Sequence, residues 1–268
     1  MDRSVTMLVL KKTKLGETDL IITGFSDEGL QIRAVAKGAR KPGSRLGAHL
    51  ELYSIARILM YEGSNLGIIR EATTVAGNEA CRADVLHSAG AAVIVELIEV
   101  ISSEGNHEAR LFPLAQEALR CLGMAPDSGV ALLAAAAALK IAAQVGFRPS
   151  MGECVLCGDA TDIPGDTKAS LPGKSTQNTK TISFSFDDGG AICDNCVNML
   201  EEQSPKTVDA RLAQWTETLI SSRFIDLEHF TGEDYSELGN AMLKFTREWI
   251  AFHIVKRLKS LDFLLNFR

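Results

Sequence analysis

The feature that most constrains this chain is a change in hydrophobic period near residue 78. Before it, apolar residues recur every second position in short runs. After it, they recur every third or fourth position over long runs. Period two places side chains on alternate faces of a strand, and period 3.6 places them on one stripe of a helix. The sequence therefore predicts an α+β chain, with a strand-built module over residues 1–77 and a helical module over residues 78–268.

In the first module, Thr6–Leu10, Asp19–Phe25 and Leu30–Ala36 alternate, and Ser26-Asp27-Glu28-Gly29 supplies a turn between the second and third. Leu50–Tyr61 and Leu66–Arg70 complete five short strands around a Glu62-Gly63-Ser64-Asn65 turn. Five strands in about 70 residues fit a small closed barrel of the oligonucleotide/oligosaccharide-binding (OB) type. A small sandwich or an SH3-like barrel gives much the same pattern.

In the second module, Asp84–Ser103 and Glu108–Leu122 read as amphipathic helices, and a third starts at Pro126-Asp127-Ser128 and stops at Gly146. Thr207–Ser222 and Asp234–Lys259 read as two more. Neither Ala89–Val100, with Glu96 and Glu99, nor the run Val130–Ala143, with Lys140, reads as a membrane span. The N-terminus carries no basic-then-apolar leader pattern, so the expectation is a cytoplasmic protein.

Four of the six cysteines form two pairs, Cys154-x-x-Cys157 and Cys193-x-x-Cys196, in an insertion at about residues 150–200. Such turns converge thiolates on one ion at about 2.3 Å, and two of them complete a closed tetrahedral site. One structural zinc is the reading this favours. A thiol redox pair and an iron–sulfur site are its rivals. Gly158 and Asn195 suit tight turns beside the pairs, and the alternating Thr181–Phe186 with Asp187-Asp188-Gly189-Gly190 predicts a hairpin delivering the second pair. The polar stretch Gly165–Thr181 reads as an exposed loop. Cys81 and Cys121 read as small buried hydrophobes.

No catalytic constellation stands out. A zinc deaminase needs His-x-Glu or Cys-x-Glu with Pro-Cys-x-x-Cys, but Glu153 and Ile192 precede the two pairs and no histidine lies in that motif. A metalloprotease needs His-Glu-x-x-His, and His107-Glu108 is followed by Leu111. Pro172-Gly173-Lys174-Ser175 imitates the end of a phosphate loop, but Lys168 stands where its first glycine belongs. The chain is expected not to be an enzyme.

Charge is distributed unevenly. The net charge is −6, yet residues 1–75 hold eleven Lys or Arg against eight Asp or Glu. Leu30–Leu50 contains Arg33, Lys37, Arg40, Lys41 and Arg45 and no acid. Cations among glycines and a proline can reach phosphates with little obstruction. A solvated loop is the bland alternative. Lys11 and Lys12, with Lys14, extend the candidate patch, although Glu17 and Asp19 offer them nearby partners. Aromatic residues are sparse here, so binding would be backbone-dominated and tolerant of sequence. At the other end, Lys256, Arg257 and Lys259 read mainly as cations complementing a helix C-terminus, with a second phosphate or acidic-peptide contact as the minority reading.

These residues together resemble the RecO family of bacterial recombination mediators. The resemblance runs along nearly the whole chain. It rests on Val9-Leu10-Lys11, Gly16-Glu17-Thr18-Asp19, Ala36-Lys37-Gly38-Ala39-Arg40-Lys41 with Ser44-Arg45, both cysteine pairs with Gly189-Gly190 before the second, and Lys259-Ser260-Leu261. It implies an N-terminal OB-fold and a helical domain bearing a four-cysteine zinc finger. It also implies binding of single- and double-stranded DNA, annealing of complementary strands, and loading of recombinase onto gaps coated by single-stranded-DNA-binding protein. The implied partners are RecR and the acidic C-terminal tail of that binding protein. The remaining alternative is a zinc-stabilised protein–protein scaffold without annealing activity.

Overall fold

A computed structural model describes residues 2–62, 66–102, 107–161, 181–199, 205–227, 230, 232–254 and 257–267. The chain divides into two compact units, residues 1–125 and residues 126–266.

The first unit is built on a closed five-stranded barrel. Strands β1 (Asp2–Leu15), β2 (Asp19–Ser26), β3 (Gln31–Ala36), β4 (Ile55–Tyr61) and β5 (Gly67–Ala76) are arranged in the order β1-β2-β3-β5-β4, and β4 pairs back onto β1. Within the barrel only β3 and β5 are parallel. Closure removes free strand edges, and this order is that of an OB-like fold. Val5, Met7, Val9, Ile22, Ile32, Ala34, Ile58 and Ile69 fill the interior.

The barrel wall is covered on one side as well. Helix α2 (Val85–Ser102) packs on β1 and β2, and α3 (Leu111–Met124) packs on α2. Tyr53 Oη donates to the Ser88 carbonyl at 3.1 Å, and Gln31 Nε2 donates to the Glu99 carbonyl at 3.0 Å. This explains why Met7 to Leu10 are all buried although they alternate between faces. The change of period near residue 78 marks a change of secondary structure, while the compact units divide at residue 125. Cys81 and Cys121 are fully buried. Burial pushes the Cys81 thiol up to about 11.

One strand boundary differs from the sequence pattern. Leu50–Tyr61 is not a single strand: α1 (Arg45–His49) precedes it, capped by the Ser44 hydroxyl accepting from the Gly47 N–H at 3.2 Å. Leu50 plugs the barrel, Tyr53 takes a left-handed φ of 68°, and the strand begins only at Ile55.

The second unit is centred on α4 (Asp127–Gln144), which packs against α6 (Ala210–Ser221), α7 (Phe224–Leu227) and α8 (Glu233–His253). A side chain at Gly239 would meet the Leu132 nitrogen at 2.8 Å, so α4 and α8 are in close backbone contact. Helices α2 and α4 are long and apolar enough to cross a membrane by length and composition, with mean hydropathies of 1.7 and 1.2. Two-thirds of each is buried within the protein, as expected of core helices.

Strands β6 (Thr181–Ser185), β7 (Gly190–Ile192) and β8 (Lys206–Asp209) form a small sheet in the order β7-β6-β8. The expected hairpin is present. The expected helix over Thr207–Ser222 instead begins with β8, because Thr207 and Val208 pair with Ser183 and Ile182. The expected helix over Asp234–Lys259 is also broken: α8 ends at His253, and α9 (Lys259–Asn266) starts anew. Lys259 therefore opens a helix rather than closing one, which removes the expected dipole role for that cation. Arg257 pairs with Asp262, and Lys256 lies outside the described residues. The polar stretch expected as a loop before β6, together with the phosphate-loop imitation inside it, also lies outside them up to residue 180.

Candidate functional site

Two sites take shape, one in each unit. In the second, four thiols converge. The segment entering Cys154 is fixed by its backbone: the Ser150 N–H donates to the Gly189 carbonyl at 3.0 Å, Ala191 N–H to Ser150 at 2.8 Å, and Val155 N–H to Ala191 at 3.0 Å. This ladder needs a bare backbone at Gly190, where a Cβ would fall 2.3 Å from the Ser150 oxygen and 2.7 Å from Val155 Cγ1. The Cys154 turn closes through Gly158, whose φ is +82° and whose N–H donates to the Cys154 carbonyl at 2.8 Å. Cys193 and Cys196 sit at the start of the short helix α5 (Asp194–Val197), with Val197 N–H donating to the Cys193 carbonyl at 3.0 Å.

The four Sγ atoms of Cys154, Cys157, Cys193 and Cys196 all lie within 4.8 Å of one another. Cys157 and Cys193 approach to 3.6 Å, against an edge of ~3.8 Å for four sulfurs held tetrahedrally at about 2.3 Å from one ion. Burial alone would raise the Cys154 thiol, but backbone N–H groups of Cys193, Cys157 and Leu156 outweigh it and draw the group down to about 6. The Cys157 thiol moves the other way. The Asp159 N–H favours its thiolate, but burial and the surrounding thiols push it up. Four sulfurs this close cannot all ionise without a cation among them. The donor set thus fits a thiophilic metal ion, which these four cysteines would hold, with no fifth ligand grouped with them among the described residues.

The first unit carries the basic segment. Residues 37–44 form consecutive turns: Ala39 N–H donates to Ala36, Lys41 N–H to Gly38 and Ser44 N–H to Lys41, with Gly38 and Gly43 at φ of +65° and +70°. The segment is tied to the β1–β2 turn. Arg40 donates from Nη1 to the Gly16 carbonyl at 3.0 Å and the Glu17 carbonyl at 2.8 Å, and its N–H donates to Thr18 at 2.9 Å. Asp19 Oδ1 accepts from the Gly38 N–H at 2.7 Å and from the Thr18 hydroxyl at 2.9 Å. The Gly38 and Thr18 hydrogen bonds, and then the charges of Lys37 and Lys41, hold the Asp19 carboxyl below its usual range. The two sequence patterns at residues 16–19 and 36–41 are thus one substructure.

The remaining cations sort by face. Lys11 and Arg33 both pair in register with Thr23, so they share one face and one rung across three strands. Lys12 points to the opposite face. The partners of Lys11 and Lys12 are not Glu17 and Asp19: Lys11 Nζ reaches Glu99 and Lys12 Nζ reaches Glu51, each at 2.8 Å. Lys37, Lys41, Arg45 and Arg33 are exposed and close no ion pair among the described residues. The structuring role of Asp19 is invisible to a charge count. Only the recurrence of a short acceptor beside a glycine-rich turn could have signalled it.

A five-stranded OB-like barrel with an exposed basic turn, followed by a helical unit with a four-cysteine cluster, defines a class of OB-fold proteins with a cysteine-cluster helical region. The sequence comparisons narrow the class. The model for "Recombination protein O N terminal" matches residues 1–78, and that for "Recombination protein O C terminal" matches residues 82–262. Similar curated proteins include the DNA repair protein RecO of Bacillus mycoides (strain KBAB4), 28% identical over 195 residues that cover 72% of this chain and 70% of the relative. The DNA repair protein RecO of Bacillus cereus (strain AH187) is 29% identical over the same coverage. The chain belongs to the recombination protein O family.

Proposed function

We propose that this protein is a DNA repair and recombination mediator that works by binding phosphates rather than by catalysis. The observation that carries this reading is the ordered basic turn on the barrel. Lys37, Lys41 and Arg45 close no ion pair among the described residues, while Arg40 and Asp19 fix the backbone beneath them. Arg33 on β3 and Lys11 on β1 share one face of the β1–β2–β3 wall and add charge there, Lys11 while paired with Glu99, and OB barrels bind nucleic acid beside the turn between their first two strands. Lys12, on the opposite face and paired with Glu51, contributes less. A row of cations with few aromatics neutralises phosphates on either single- or double-stranded DNA. It thereby lowers the repulsion between two complementary strands, so that they anneal.

The family membership extends the reading to loading of recombinase onto gaps coated by single-stranded-DNA-binding protein, with RecR and the acidic tail of that binding protein as partners, in the cytoplasm on the nucleoid. In the second unit, Cys154, Cys157, Cys193 and Cys196 would hold one structural zinc. Its part is to clamp the two cysteine turns to the hairpin, with no coordination position for a reacting group. Arg257 is paired with Asp262, and Lys259 begins α9, so this end of the chain supports a DNA contact weakly.

The deciding experiment is annealing of two complementary strands coated with single-stranded-DNA-binding protein, with and without this chain, at two salt concentrations. Acceleration that falls with salt is the expected result. A chain that neither accelerates annealing nor binds DNA at low salt would instead be a zinc-stabilised scaffold.

A further inference from the structure

The second unit contains a cavity of about 520 Å³ unrelated to the basic turn and lined by described residues of the β6–β7 hairpin, Lys206 and α8. Its chemistry is that of a cation receptor. Phe186 forms the aromatic wall, packed edge-on against Phe184 at 5.2 Å, and Phe252 stands 5.9 Å from it with 46% of its surface exposed. Three carboxylates, Asp187, Asp188 and Glu248, edge the opening. Such a combination of π-faces and carboxylates attracts a positive charge on an apolar stem and repels phosphate and acidic peptide alike.

The protein already displays the interaction with a side chain of its own. Lys206 Nζ sits 4.8 Å above the Phe186 ring and 3.7 Å from Glu248 Oε2. Its side chain is nonetheless 70% exposed, so this ammonium is loosely held and can swing aside into water. A guanidinium would use the same place better, because it is planar, stacks on aromatic faces and is more weakly hydrated than an ammonium.

We infer that this cavity is a docking site for a partner protein's peptide segment in which an arginine is flanked by apolar side chains. The arginine would displace Lys206 from Phe186 and pair with Glu248 and Asp187, and its apolar neighbours would cover Phe252. Residues 126–268 carry 14 Lys or Arg against 19 Asp or Glu, so the field of this unit also favours a basic partner segment. The inference does not depend on the DNA reading, which concerns the other unit.

The test is a titration of the isotopically labelled full chain with the blocked peptide Ala-Leu-Arg-Leu-Ala, following the backbone amides of Asp187, Asp188 and Lys206. Peptides with glutamine or glutamate at the centre, and a short single-stranded oligonucleotide, serve as comparisons. Saturable shifts with the arginine peptide are expected, at least threefold weaker binding with glutamine, and none with glutamate. Lys206→Ala, which removes the internal competitor, should tighten the arginine peptide severalfold, whereas Glu248→Gln and Asp187→Asn should each weaken it about threefold. Equal binding of the glutamate peptide or the oligonucleotide overturns the inference. So does an unchanged or reduced affinity in Lys206→Ala, or the absence of saturable shifts with the arginine peptide.

Discussion

The Arg40 guanidinium donates to the Glu17 carbonyl at 2.8 Å, the shortest of the three hydrogen bonds by which Arg40 joins the turn carrying the basic residues to the turn between β1 and β2. The Nη1 of Arg40 is committed to the Gly16 and Glu17 carbonyls. Its neighbours Lys37 and Lys41 are not so committed. On the proposed reading the two kinds of cation therefore play different parts, one holding the surface and the others meeting the phosphates.

This division predicts different outcomes for neighbouring substitutions. Lys41→Ala or Lys37→Ala should leave thermal stability within about 0.5 kcal/mol of the parent. Each should flatten the salt dependence of duplex binding by roughly 0.9 in log–log slope for every phosphate that is no longer neutralised. Arg40→Ala should cost about 1 kcal/mol of stability by removing the guanidinium hydrogen bonds and weaken binding by loosening both turns. Arg40→Ala combined with Lys41→Ala should do both. Thermal melts and binding isotherms at three salt concentrations distinguish the cases. A salt slope unchanged in the double variant would remove this surface from the DNA site.

How far the sequence alone carries the structure depends on whether the deciding contact is local. The barrel strands were legible because Ile32, Ala34 and Ala36 alternate against Gln31, Arg33 and Val35 whatever their partners. The cysteine cluster was legible because spacing alone puts two thiols on each turn. The helix α1 was not: five residues carry too little periodicity, and Ser44 as a cap is one residue among many serines. Strand β8 was hidden because Thr207 and Val208 acquire their conformation from Ser183 and Ile182, some 25 positions earlier. The division of labour between Arg40 and Lys41 was hidden for the same reason, since Glu17 and Asp19 lie about 20 residues away in sequence.

Gly190 tests the architecture of the cysteine centre without touching a ligand. Gly190→Ala places a methyl 2.3 Å from the Ser150 oxygen and 2.7 Å from Val155 Cγ1. The strand leading to Cys193 and the turn carrying Cys154 must then part. The expected cost is about 1–3 kcal/mol from overpacking, with a lower bound-metal content per chain by elemental analysis. Full metal content at unchanged stability would show that the two segments approach less closely than the ladder from Ser150 to Ala191 requires.

Metal removal should act on the same region. The purified chain is expected to contain about one zinc per molecule, and a thiol-reactive mercurial with a colorimetric zinc indicator should release it as four thiols react. Thermal stability should fall on removal and return on adding zinc, because the closed site contributes folding energy directly. Barrel-based duplex binding should change far less. Titratable disulfide in place of four reactive thiols, with no zinc, would identify a redox pair instead.

Lys140 provides the pH test of the helical unit. Its ammonium lies within the α4 packing, donates to the Ile220 carbonyl at 2.7 Å and to the Ser222 carbonyl at the end of α6, and stands 5.3 Å from the Phe224 ring centre. Burial draws it down to about 8, and the nearby Arg148 charge adds to the shift. The unfolded chain keeps an ordinary lysine near 10.5, so between pH 8 and 10.5 the unfolded state binds more protons than the folded one. Stability from this group therefore rises with pH across that window and is lowest, and flat, below pH 8. Lys140→Met removes the titration, so the stability of the parent relative to Lys140→Met should improve by about 1–2 kcal/mol from pH 7.5 to pH 10, allowing for partial solvent screening. Urea melts of both proteins at the two pH values measure that difference. A parent that gains nothing over the variant would mean that the two carbonyls compensate the ammonium fully and that its burial carries no cost.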